Sequence, residues 1–173
     1  MEIKKMKIIK KNNILTKSLI INPVLTEHTL FLDIETTGFS GSASRLYLIG
    51  TAYARNGMLV SEQFFGETPK EEALLLDALD HLLPQFDTVV TFYGNHFDLP
   101  FLEKCRKRLH LQSGYHNNNY VDLYETARSY RYIFGLENYK QKTLESFLGI
   151  RRTDPLNGAE SAKIYESYVK QPR

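Results

Sequence analysis

The 173-residue chain contains no tryptophan and a single cysteine, Cys105. A lone cysteine excludes an internal disulfide and any metal site built from several thiolates, and it fits a reducing, cytoplasmic setting. No apolar run approaches the roughly 20 residues that cross a bilayer, so no membrane partner is expected. The lysines at the start are not followed by an apolar stretch and small residues, which argues against export. Internal repeats, low-complexity segments and linkers are also missing. What remains is the composition of one globular domain, 42% hydrophobic, of a size that buries a core.

The net charge of +2 is unevenly spread. Lys4, Lys5, Lys7, Lys10, Lys11 and Lys17 face only Glu2 in the first 17 residues, and the remainder carries 16 bases against 19 acids. Residues 1–28 therefore read as a basic arm or as strands added to a main sheet. Such a run either contacts phosphate or is a solvated end. A second basic group spans Lys104, Arg106, Lys107, Arg108 and His110, then Arg128, Arg131, Lys140, Lys142, Arg151 and Arg152. Tyr115, Tyr120, Tyr130, Tyr132 and Tyr139 are interleaved with it. Cations mixed with aromatics suit a single-stranded nucleic acid, whose phosphates and bases need both.

Three strands are predicted over Thr29–Glu35, Leu46–Arg55 and Met58–Phe65. Asn56-Gly57 between the last two marks a tight hairpin turn. Thr68-Pro69-Lys70-Glu71 reads as a capping box with proline in the first turn. Leu74, Leu75, Ala78, Leu79, Leu82 and Leu83 then make a helical stripe. Thr88–Tyr93 is predicted as a buried strand, followed by helices near 98–109, 123–134, 142–148 and 158–170. A hairpin followed by alternating strand and helix implies an α/β fold, a mixed sheet with helices on its faces.

The densest chemistry lies in Leu32-Asp33-Ile34-Glu35-Thr36-Thr37-Gly38. Side chains alternate along a strand, so Asp33 and Glu35 project from one side while Leu32 and Ile34 point the other way. Two carboxylates at the end of a buried strand repel each other and lose solvation, and a cation relieves both costs. Oxygen ligands without nearby His or Cys suit Mg²⁺ or Mn²⁺. An isolated Asp-x-Glu can also simply end a strand. A second acidic position, Asp98, enters a helix in Asn95-His96-Phe97-Asp98-Leu99-Pro100-Phe101-Leu102, where Asp is equally a preferred N-cap.

Together the two blocks resemble the DEDD 3′–5′ exonucleases of the ribonuclease H-like superfamily. The stretch from Leu30 to Ser40 and Leu46-Tyr47-Leu48-Ile49-Gly50 are most similar to the YprB-like ribonuclease H-like domain of bacteria. The resemblance spans roughly residues 28–170. It implies a three-layer fold on a five-stranded mixed sheet, whose first strand is central and flanked by the hairpin. It also implies phosphodiester hydrolysis by two divalent ions that bracket the scissile phosphate.

By that resemblance the substrate is a DNA or RNA end, the sugar being left open, and the ions are Mg²⁺ or Mn²⁺. Carried over residue by residue, Asp33 would bridge both ions, Glu35 would hold the one that activates water, and Asp98 the other. Thr36 and Thr37, with their backbone groups, would face the terminal nucleotide, and Asn95 would orient the strand end. Asp122 reads either as a further ligand or, in Asp122-x-x-Glu125, as a capping pair. Arg128 reads either as a phosphate contact or as the partner of a carboxylate. The family's fourth carboxylate, with a His or Tyr a few residues before it, has no evident counterpart. Tyr165 and Tyr168 lie on the last helix without a following Asp. Glu160 is explained as a helix-start carboxylate and Asp154, before Pro155, as turn chemistry. The expectation is a domain at 29–173 lacking its last helix, with weak or single-metal occupancy and little turnover. Two rivals stay open: a nucleic-acid-binding module without turnover, and an endonuclease of the same superfamily.

Overall fold

The structure, a computed structural model, describes residues 6–14, 25–114, 117–151, 153 and 156–171. Strands β1 (Lys7–Ile14), β2 (Thr29–Thr36), β3 (Leu46–Arg55), β4 (Met58–Phe65), β5 (Thr88–Thr91) and β6 (Asn119–Asp122) form one sheet in the order β1-β4-β3-β2-β5-β6. The helices are α1 (Glu72–Leu82), α2 (Asp98–Arg108), α3 (Leu123–Ser129), α4 (Arg131–Phe134), α5 (Gln141–Phe147) and α6 (Gly158–Lys170). The sheet is mixed: β2 pairs antiparallel with β3 and parallel with β5. The central position expected for β2 is therefore observed.

Six strands stand where five were expected. β1 adds to the outer edge of the hairpin, antiparallel to β4. β6 is not foreseen from the sequence, because a four-residue strand at the end of an Asn-rich stretch has no periodic signal of its own. Its pairing is imposed by β5, from Thr88 opposite Asn119 to Thr91 opposite Asp122. The helix expected over 123–134 is broken at Tyr130 into α3 and α4.

The alternation in β2 is what builds the core. Leu30, Leu32 and Ile34 are 0%, 4% and 6% exposed and face the same cluster as Leu75, Leu76 and Leu79 of α1. The stripe on α1 differs from the expected one at two positions, since Leu76 is buried and Leu74 is 38% exposed. A 3₁₀ turn over Pro69–Glu71 precedes α1, and no reciprocal capping box forms there. Instead the Glu71 carboxylate accepts from the Thr68 hydroxyl at 3.2 Å and from the Glu67 N–H at 2.9 Å. A capping box does form at α6, between Asn157 and Glu160.

The basic group of the second half is dispersed by folding. Arg106 is buried against Asp80, and Arg108 is bound to the buried Glu72. Arg131 lies over its own neighbour, the ring of Tyr132. Lys4, Lys5, Lys17, Tyr115 and Arg152 lie outside the described residues. Among the described residues no helix is long and apolar enough to cross a membrane.

Candidate metal centre

β2 delivers Asp33 and Glu35 on the side opposite its buried leucines, Asp33 exposed and Glu35 half-buried. The register against β3 shifts between Glu35 and Thr36. Such an irregularity re-aims side chains where a strand leaves its sheet. From there the chain enters a loop closed at its base by two hydrogen bonds, the Thr37 N–H to the Arg45 carbonyl and the Arg45 N–H to the Thr37 hydroxyl, both 2.9 Å. The Thr36 hydroxyl donates to the Gly38 carbonyl at 2.8 Å. Both threonine hydroxyls thus serve the loop itself.

Asp98 opens α2 and is 4% exposed. It does not act as the N-cap, a position held by Phe97. Its Oδ1 accepts the backbone N–H of Ile34 at 3.2 Å, which ties the helix start to the strand between Asp33 and Glu35. Burial, then the charge of Asp33, pushes the Asp98 carboxyl up to about 7, against the two backbone N–H groups that hold it down. Glu35 is also raised, first by burial and then by Asp33, with a hydrogen bond from Tyr47 opposing. Asp33 is therefore the electrostatic neighbour of both other acids.

Two carboxylates, one buried and one half-buried, raised in part by a shared third are donor chemistry that a hard divalent cation satisfies. On that ground the three residues fit Mg²⁺ or Mn²⁺. Among the described residues, however, no three His, Cys, Asp or Glu side chains are already gathered as a group around one ion position.

Asp122 is placed by its hydrogen bonds. Buried at the N-cap of α3, it accepts from the N–H groups of Tyr124 and Tyr93 at 2.9 Å and of Asn95 at 3.0 Å. It organises the turn ahead of α2, where Tyr93 adopts a left-handed φ of 65°. The Asn95 side chain donates to Glu125 at 3.0 Å. Glu160 is exposed and engaged in its capping box, Arg128 is exposed on α3, and Asp154 lies outside the described residues.

Sequence reasoning missed a buried anchor behind the loop. Glu72 is 1% exposed and accepts from the Leu46 N–H at 2.8 Å and from Arg108 at 2.7 Å. Arg108 also donates to the Gly41 carbonyl at 3.1 Å. A side chain at Gly41 would stand 2.6 Å from the Phe101 carbonyl, so only glycine lets the loop lie this close to α2. Glu72 was hidden because charged residues at a helix start normally face water. Tyr47, beside Glu35, enters the sequence reading as part of a strand and of the Leu46–Gly50 motif, with no role at the site.

A family model described as RNase H superfamily matches residues 30–173. Among solved structures, the chain is similar to Escherichia coli exonuclease I in complex with a dT13 oligonucleotide, with a TM-score of 0.58 and 17% identity over 84% of this chain and 42% of that one. It is also similar to the family B DNA polymerase from the hyperthermophilic archaeon Pyrobaculum calidifontis, with a TM-score of 0.62 and 18% identity over 83% of this chain and 21% of that one. The chain thus spans about two fifths of the exonuclease and one fifth of the polymerase. No curated protein matches it.

Proposed function

Because the chain belongs to the RNase H superfamily, we propose that it is a metal-dependent nuclease of the 3′–5′ exonuclease type, of the YprB-like kind, acting on single-stranded DNA or RNA ends. One observation carries this reading: Asp98, from α2, is bonded to the backbone N–H of Ile34, between Asp33 and Glu35, which ties the helix carboxylate to the strand that carries the other two acids. Asp33, Glu35 and Asp98 would hold Mg²⁺ or Mn²⁺, which when bound neutralises phosphate charge and acidifies water for attack. The protein's own part is positional. The charge of Asp33 acts on both other acids, the Ile34 N–H fixes Asp98, and the Thr37–Arg45 pair holds the loop that would meet the terminal nucleotide.

A second reading, a nucleic-acid-binding module without turnover, is favoured by the absence of a gathered three-acid group among the described residues. Single strands labelled at the 3′ or the 5′ end, incubated with Mn²⁺, separate the two. The nuclease shortens strands one nucleotide at a time from the 3′ end, and Asp33→Ala abolishes it. Binding without shortening supports the module, and internal fragments indicate an endonuclease. Cleavage that survives in Asp33→Ala removes the metal-site reading.

A further inference from the structure

Glu35 adjoins a cluster of aromatic rings. Tyr47 on β3 is 4% exposed, and its hydroxyl donates to Glu35 Oε2 at 3.5 Å. Tyr165 of α6, also 4% exposed, stacks on Tyr47 with ring centres 4.2 Å apart and planes 11° from parallel. Phe65 meets both rings edge-on, at 6.5 Å and 5.9 Å. The start of α6 also adjoins Glu35, since a Cβ at Gly158 would stand 4.0 Å from Glu35 Oε2.

We infer that Tyr47 is a positioning residue: its hydroxyl, braced by the Tyr165 ring, engages one oxygen of Glu35 and turns the other toward the cation. The inference rests on the proposed metal centre and adds a residue to it. Two facts support it. The buried Tyr47 ring is stacked on Tyr165 and flanked by Phe65, so its hydroxyl has little freedom to point elsewhere. The 3.5 Å separation is long for an O–H···O bond, so the contact acts through direction more than through strength. Among the described residues, Tyr47 is the hydroxyl that reaches Glu35.

Outer partners that orient a ligand typically change metal affinity by about 10- to 100-fold. The test is Mn²⁺ titration of the full chain, followed by the loss of free-ion paramagnetic resonance, together with thermal unfolding of the cation-free protein. Tyr47→Phe keeps the stacked ring and removes only the hydroxyl. It is expected to weaken Mn²⁺ binding about 10-fold with little change in the cation-free unfolding midpoint. In a Glu35→Gln background the same substitution is expected to have no further effect, because it acts through Glu35. Wild-type affinity in Tyr47→Phe, with binding lost in Asp33→Ala, overturns the positioning role and leaves the metal centre standing. An equal loss with and without Glu35, or collapse of the fold, shows a structural hydroxyl and overturns it as well. No Mn²⁺ binding by the wild type defeats the metal centre and the inference together.

Discussion

The two faces of the sheet are built to different standards. On one, Leu30, Leu32 and Ile34 of β2 meet α1 with almost no exposed surface. On the other, the same strand presents Phe31 and Asp33 to a cleft of about 900 Å³ beneath α3, α4 and α5. Those three helices bury no residue completely, and Tyr132, Ile133 and Leu148 are 86%, 77% and 69% exposed. A period of two lets one eight-residue strand serve stability with one set of side chains and chemistry with the other.

The largest expected effect lies at Asp98, where the two faces meet. Its carboxyl is raised from the ordinary 3.8 to about 7. Between those values the native state holds a proton that the unfolded chain has lost, so stability falls as pH rises from about 4 to about 7. The full shift corresponds to about 4 kcal/mol as an upper bound. Asp98→Asn should flatten that fall in cation-free urea melts, and Mn²⁺ at pH 7.5 should restore stability to the wild type only. Next in size, Leu79→Ala on the closed face should cost about 3 kcal/mol. Leu144→Ala, which lines the cleft, should cost less than about 1 kcal/mol. Equal losses at the two positions would show that the open face is as tightly packed as the closed one.

The parts of this arrangement that repeat along the chain were legible in the sequence. The alternation of Leu30, Leu32 and Ile34, the Asn56-Gly57 turn and the α6 capping box were readable because each is a local pattern. So was the pairing of Asp33 and Glu35 on one side of β2. The rest depends on contacts between distant segments. β6 exists because β5 offers it an edge, Asp98 turns from N-cap to tether because Ile34 supplies an N–H, and Arg106 and Arg108 leave the basic surface because Asp80 and Glu72 draw them inward. No periodicity in the chain encodes those meetings.

The smallest effect tests what the open face is for. Arg128 is exposed in the last turn of α3. A cation there already interacts favourably with the helix C-terminus, so exposure alone does not assign it to phosphate. If the open face receives nucleic acid, Arg128→Ala should leave stability within about 0.5 kcal/mol. It should also lower the salt dependence of oligonucleotide binding by about one unit of log–log slope. Fluorescence anisotropy of a labelled single strand, in an Asp33→Ala background that prevents cleavage, measures the slope between low and moderate salt. A slope that does not move makes Arg128 a solvated helix-end charge and shifts the expected path of the strand toward the loop at Thr37, away from α3.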